Sequence, residues 1–437
     1  MTAPQIPNLF KIPELKEKIL FTLLCLVIYR VGAHIATPGV NVQALADFLQ
    51  NQAQGTLFVL YDLFAGGGFS RATVFALGIM PYISASIVFQ LAGPVFPVIE
   101  KMQRDEEGRK KLTQWTRYLT VVLCLFQAYG FALFTEQLPG AVAHPGWYFR
   151  MTTVLTLTTG GIFVMWLGEQ ITERGIGNGM SLLIFFSIIE RIGPETLRTI
   201  DALKAHSLTF LTLVAVLGIM VLVVAGTVAV TMAQRRVPIQ IPRKVMGRGR
   251  IREGQKTYIP LMINASGVMP IIFAQSLIIV PGTIASFSGS PTLKHLAEYF
   301  SVTSPVYLVS SALLIVFFAY FYTSIIFNPV DVAENLKKQG GFIPGVKPGA
   351  ATADYIDEVL SRITLPGAIF LTVVAMLPIV VSNILSMPFG FGGTALLIVV
   401  GVALDTVRQV NQYLVLRQYD GFMKEGRIKF RGRQRYI

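Results

Sequence analysis

Charged residues are scarce in this chain of 437 residues: Asp, Glu, Lys and Arg together make up 14% of it, against 53% hydrophobic residues. With a mean hydropathy of +0.59, a soluble globular fold is excluded, because apolar runs of about 18 residues or more are what a bilayer-spanning helix requires. Cysteine is nearly absent. Cys25 and Cys124 both fall inside apolar runs, so they read as small packing residues and not as a disulfide or metal pair. Catalytic constellations are missing too: the sequence has no Ser/His/Asp set, no paired carboxylates and no HExxH. No enzyme, cofactor or metal is therefore expected. Arg174-Gly175-Ile176-Gly177-Asn178-Gly179 has a GxGxG look but no preceding strand, so it reads as a tight turn and not as a nucleotide loop.

What is present is a series of ten apolar spans, roughly 19–36, 72–92, 116–134, 151–168, 180–193, 208–232, 260–285, 305–327, 363–382 and 393–413. The fifth is short and is expected to end in a turn at Glu190-Arg191-Ile192-Gly193-Pro194. The first run lacks a small-residue cleavage site, so it is read as a retained span. The net charge of +13 is unevenly distributed. With the N-terminus placed in the cytoplasm, the inside connections hold 30 of the 37 Lys and Arg residues, the outside ones 6, and Arg30 lies within the first span. Such a bias places both termini in the cytoplasm and makes the span count even.

Ionisable groups are rare at span centres, where a proton relay or an ion-coupled substrate site would need them. Glu169, Asp405 and Arg408 sit near cytoplasmic span ends. In mid-span there are apolar stripes, with Ile79, Ile83 and Ile87 at one helical spacing and Met180 and Ile184 at another, and a few amides: Gln90, Gln127 and Asn264. Taken alone, such stripes are far more often packing or lipid-facing residues than pore linings, and interhelical hydrogen bonding accounts for each amide.

Two connections are too long for simple turns. Gln234 to Tyr258 carries RRVPIQIPRKVMGRGRIREGQK, strongly basic with alternating β-branched residues, and Asn328 to Thr364 has a Gly/Pro-rich middle. The C-terminal KEGRIKFRGRQRYI is basic again. Anionic lipid headgroups are one target of such patches; a docked cytoplasmic partner is the other.

Two patterns organise the rest. Gly78-Ile79-Met80-Pro81-Tyr82-Ile83-Ser84-Ala85 recurs as Gly267-Val268-Met269-Pro270-Ile271-Ile272-Phe273-Ala274, with five identities in eight positions. Five spans separate the copies, so the second enters the membrane from the opposite side, as in an inverted repeat with a shared midplane site. The halves would be 1–195 and 205–437, joined by a hinge loop at 196–204. The second pattern is the stretch from Thr56 to Gln90: a short apolar piece from Leu57 to Ala65, then Gly66-Gly67-Gly68, then an apolar helix broken by Pro81. The short piece cannot span a bilayer. It is either a surface helix or a re-entrant segment seated in a pore.

ALGIMPYISASIVFQ (76–90) and WLGEQITERGIGNGMSLLIF (166–185) resemble the two signature segments of the SecY/Sec61-alpha family, the channel subunit of the protein-secretion translocon. FNPVDVAENLKKQGGFIPG (327–345) and FGGTALLIVV (391–400) resemble two further family blocks. The resemblance implies an all-α polytopic membrane protein, with ten transmembrane helices in two inverted five-helix halves around a central hourglass pore with a re-entrant plug. It makes residues 57–70 the plug, including Leu57, Tyr61, Asp62 and Phe64, with Gly66, Gly67 and Gly68 as its hinge. It places an apolar pore ring on Ile79, Ile83, Met180, Ile184, Ile272 and Ile398, and polar lateral-gate positions on Gln90 and Asn264, with Gln127 a weaker candidate. It implies SecE and SecG as small subunits, and unfolded signal-bearing preproteins as substrate. The SecA motor ATPase or the ribosome would dock through Arg235, Arg236, Arg243, Lys244, Arg248 and Arg250 in the loop 234–258 and Lys347 in the loop 328–364. Relatives commonly carry arginine where Lys347 stands; the charge survives but the two-pronged guanidinium does not. The location implied is the bacterial plasma (inner) membrane. The competing class is an inverted-repeat secondary transporter of a small solute, against which the lack of mid-span charge counts.

Overall fold

The computed structural model describes residues 13–51, 57–205, 209–240, 245–246, 250–251, 256–287, 304–385 and 393–425. The chain opens with α1 (Pro13–Gly32), α2 (Val42–Asn51) and α3 (Leu57–Phe64). There follow α4 (Met80–Val95), α5 (Pro97–Arg104), α6 (Glu106–Gln137), α7 (Trp147–Arg174), α8 (Gly179–Lys204) and α9 (Phe210–Met232). Four strands come next, β1 (Gln234–Gln240), β2 (Val245–Met246), β3 (Arg250–Ile251) and β4 (Lys256–Met262). The chain ends with α10 (Met269–Phe287), α11 (Pro305–Ile326), α12 (Pro329–Lys338), α13 (Ala350–Leu385) and α14 (Gly393–Glu425). The fold is a polytopic helical membrane protein. Among the described residues, six helices are long and apolar enough to cross a bilayer, or seven if α4 and α5, bent by 110° at Phe96, count as one span.

The strands correct an all-α expectation. The β-branched alternation in the first long loop makes β1 and β4 an antiparallel pair, with Val237 opposite Ile259, the period that puts alternate side chains on one face. Val237 and Ile239 are buried, and Arg235, Arg236 and Pro238 are exposed. The second long loop is also more regular than its Gly/Pro content suggests, since it holds α12 and the first turns of α13. Phe342 bridges to Gln240 by reciprocal backbone bonds of 2.9 and 3.0 Å. Val237, Ile239, Leu261, Leu336, Ile343, Ile356 and Leu360 close a small core of their own. The two loops are one folded module.

The repeated motif proves to be a helix start, not a helix break. Pro81 and Pro270 stand in the first turns of α4 and α10, where a missing N–H removes no intrahelical bond. Turns run from Ala65 to Ile79 and from Ile263 to Val268, so the spans expected at 72–92 and 260–285 are helical only in their second parts. Each turn region delivers the chain through a glycine with positive φ, Gly78 at 56° and Gly267 at 63°, a region that costs a side-chain residue energy. The two copies of the motif share a backbone.

The fifth span also departs from expectation. No turn forms at Glu190–Pro194, and 196–204 is not a loop: α8 continues through Pro194 to Lys204. The proline gives up one bond, to the carbonyl of Glu190, without ending the helix. At the start of α8, Asn178 accepts from the backbone N–H groups of Met180 and Ser181, so the GxGxG look resolves as a turn with an N-cap.

Candidate functional site: an apolar constriction, a buried short helix and a seam

A single hydrophobic cluster runs through the middle of the molecule. Ile79, Ile83, Ile184, Ile272 and Ile398 are buried members of it, and Met180 packs against it half-buried. Four of the six expected ring residues, Ile83, Met180, Ile184 and Ile272, line one cavity of about 340 Å³. Ile79 and Ile398 belong to the cluster but not to the cavity wall. Met269 and Phe273 complete the apolar side, and neither stood out in the sequence. The polar side includes Tyr82, Gln90, Glu169, Glu173 and Asn178, with Arg117 donating from Nε to a Glu169 oxygen at 2.8 Å.

The short helix α3 is buried inside the protein. Tyr61, Asp62 and Phe64 are buried, and Ala65 has no exposed surface; of the Leu57 side chain nothing is described. Tyr61 donates to the Leu77 carbonyl at 3.0 Å and lies 3.3 Å from the amide oxygen of Gln127. Phe58 and Tyr61 meet Phe69 ring to ring, and Phe69 meets Phe131 edge-on. Such pairs add about 0.5–1.5 kcal/mol beyond the area they bury. Gly66 and Gly67 turn the chain with φ of 64° and 75°, and a Cβ on Gly66 would stand 3.2 Å from Ser187 on α8. The glycine run is a packed turn. Gln127 therefore faces α3, and the seam that Gln90 occupies lies elsewhere.

That seam joins α4 to α10 and α11. The amide oxygen of Gln90 accepts from the Tyr322 hydroxyl at 2.7 Å, and the Gln90 NH2 donates to Ser86. One turn and a half earlier, Ser84 and Ser276 share a bond of 2.8 Å. Ser84 spends its own proton on the Met80 carbonyl, so Ser276 is the donor. Asn264 is buried in the turn before α10 and accepts from Ser266, a local contact. Tyr322, Ser84 and Ser276 were not readable as a group, because hydroxyls are common in apolar helices and only the packing pairs them.

The sequence also missed charge midway along α8. Glu190, buried, is paired with Arg30 and with Arg71, the latter at 3.5 Å. Arg191 reaches Asp62 at 3.2 Å and Glu195 at 3.9 Å. A signal existed: Glu190-Arg191 adjoins the shortest apolar run, and such residues persist in membranes only with partners.

Of the docking residues, Arg235 and Arg236 project from β1, with Arg236 over the Tyr258 ring at 4.9 Å. Lys347 is exposed in the second loop. Arg243, Lys244 and Arg248 lie outside the described residues, as does the side chain of Arg250.

With this geometry in hand, the kinship is decisive. The SecY family profile matches residues 73–407. The chain belongs to the SecY family. The protein translocase subunit SecY of Aquifex aeolicus is 43% identical over 424 residues, covering 95% of this chain and 98% of that protein. The subunit of Thermus thermophilus is 44% identical, covering 97% and 98%, and that of Escherichia coli K12 is 42% identical, covering 96% of each. Among solved structures, a protein-conducting channel superposes with a TM-score of 0.67 at 20% identity, covering 98% of this chain and all of that one. Sec61 of the canine ribosome–channel complex gives 0.63 at 19%, covering 98% and all of that chain. At such identities the structural likeness speaks to the fold; the family rests on the sequence relatives.

Proposed function

We propose that this chain is the protein-conducting channel of a bacterial Sec translocase. It moves unfolded, signal-bearing preproteins across the plasma membrane and releases apolar segments sideways into lipid. The observation that carries the reading is the pairing of two features in one place: an apolar constriction with a cavity on one side and a buried non-spanning helix on the other. Bulky, deformable apolar side chains block ions by dewetting yet make no sequence-specific bonds, which suits a passage for many chains. The segment 57–70 acts as the plug, and Ile79, Ile83, Met180, Ile184, Ile272 and Ile398 as the ring. Gln90 with Tyr322, and Ser84 with Ser276, act as the lateral gate.

In this reading the ten apolar segments form two inverted halves, 1–195 and 205–437, joined through the last turns of α8 at 196–204, with both termini in the cytoplasm. The half-helices α4 and α10, each launched by the same Gly-x-Met-Pro motif, are what an inverted repeat with interrupted helices supplies. SecE and SecG complete the assembly. The folded two-loop module and the basic tail serve SecA, the ribosome and anionic lipid, with Arg235, Arg236, Arg243, Lys244, Arg248, Arg250 and Lys347 as contacts. Small-solute transport is disfavoured by the cavity wall: of its two carboxylates Glu169 is already engaged by Arg117, and its ring side, Ile83, Ile184, Met269, Ile272 and Phe273, offers a solute no polar group.

Reconstitution into liposomes with the small subunits, the motor, ATP and a signal-bearing precursor tests the reading. Protease-protected precursor that depends on the signal is the expected product. Its absence, with solute uptake in its place, would refute the channel.

A further inference from the structure

Plug and channel wall meet through charge at two points, and the arrangement is reciprocal. Asp62 lies near the end of α3 and Arg71 directly follows the segment 57–70, so the plug offers one acid and the residue that tethers it one base. The α8 helix offers the adjacent pair Glu190 and Arg191. Asp62 meets Arg191 at 3.2 Å and Arg71 meets Glu190 at 3.5 Å. Asp62 also shapes the plug itself, accepting the Ser70 N–H at 2.8 Å. Glu195, one turn further along α8, flanks Arg191 from below. Apart from Arg71, which is partly exposed, these side chains are largely shielded.

We infer that Asp62–Arg191 and Arg71–Glu190 form a two-point ionic clasp that holds the plug shut and ties its release to movement of α8. The inference rests on the plug reading and names its regulation. An apolar plug held by apolar contact alone would slide with little directional preference. Two crossed ion pairs on neighbouring residues fix both its position and its rotation, because sliding or turning it sets like charges together. The same α8 runs on without a break to Lys204, so a tilt of this helix as the halves part pulls Glu190 and Arg191 away from the plug together. When α8 moves away, Arg30 still faces Glu190 and Glu195 still faces Arg191, but the buried Asp62 is left without its guanidinium, which is unfavourable; because both contacts sit on neighbouring residues of one helix, the clasp opens as one event.

The test uses the full chain in its assembled complex, with hydrogen exchange of the amides in 57–72 and ion conductance in planar bilayers as readouts. Asp62→Asn and Arg191→Gln are each expected to speed plug exchange by about tenfold or more and to raise the leak, because each breaks the ion pair between α3 and α8 and unbalances the shielded charges around it. The double variant D62N/R191Q removes both charges of that pair, so its effect should fall well short of the two combined. Arg71→Gln should loosen the plug in the same sense. Unchanged exchange in the single variants, or effects that simply add, would overturn the clasp. Exchange that rises equally in α6 and α7 would do so too, since it marks general unfolding. Deleting 60–69 serves as the separate control: a leak there without one in the clasp variants sinks the clasp alone, and no leak in either sinks the plug.

Discussion

The seam between α4 and the pair α10 and α11 offers the sharpest quantitative test. Tyr322→Phe removes one hydroxyl and little volume, leaving the amide oxygen of Gln90 without its donor at 2.7 Å. Hydrogen bonds of this kind are worth about 0.5–1.5 kcal/mol net in proteins and about 0.6 kcal/mol on average between membrane helices. Ser84→Ala removes the acceptor of Ser276 and adds a similar amount. The closed seam should lose about 1 kcal/mol from the first change and about 2 kcal/mol from both, a roughly thirtyfold rise in the open population. A minor open state of about 0.1–1% would become about 3–20%. The assay is translocation of a precursor whose apolar signal core has been shortened until the parent barely accepts it. The double variant should accept it markedly better, with the single variants in between. Gln90→Leu combined with Tyr322→Phe should lie closer to the parent than Tyr322→Phe alone, because replacing both partners by apolar groups leaves no orphaned amide oxygen in the seam. Refutation would come from weak-signal export unchanged in Y322F and in the Ser84 double, since the bonds would then not hold the seam.

Three other outcomes follow from the same geometry. Replacing Ile83, Ile184 and Ile272 with serine should wet the constriction and raise ion leakage, read as conductance without precursor; an ion-tight triple variant would remove the ring. Gly160→Ala should destabilise the fold by about 1–3 kcal/mol, because a Cβ there would be driven into the Val74 carbonyl on the turn before α4; thermal unfolding in detergent checks it. Reversing Arg235 and Arg236 should weaken motor or ribosome binding, and the loss should shrink as salt is raised. A salt-independent loss would point to disruption of the β1–β4 pair.

Much of the architecture was legible because the bilayer makes composition speak plainly. A run such as Phe210–Met232 admits one reading. The Gly-x-Met-Pro repeat was legible as a repeat but misleading as a kink: Pro81 marks the first turn of α4, and periodicity alone does not separate a helix start from a helix break. The β1–β4 pair was visible only as alternation of Val237 and Ile239, and a family expectation of helices overrode it. What the sequence could not carry is pairing across distance. Nothing local says that Gln127 serves Tyr61 while Gln90 serves Tyr322, 232 positions away; both are lone amides in apolar helices.

The same limit hid the charges around α8, and there the physics turns into function. Reading Glu190-Arg191 as the end of a short span treated two charges as a sign of exit from the membrane. Paired charges need no exit. Once Asp62, Arg71 and Arg30 supply partners, the helix continues to Lys204. A residue pair that composition assigns to a boundary is thereby placed inside one helix, against α3 and the turn that follows it. With the clasp inferred above, an uncharged but well-packed substitution of the whole cluster would leave the plug held by apolar contact alone, neither fixed in position nor coupled to α8. Such a variant would keep its thermal stability yet leak more ions at rest than the parent, a separation that a merely structural cluster would not produce.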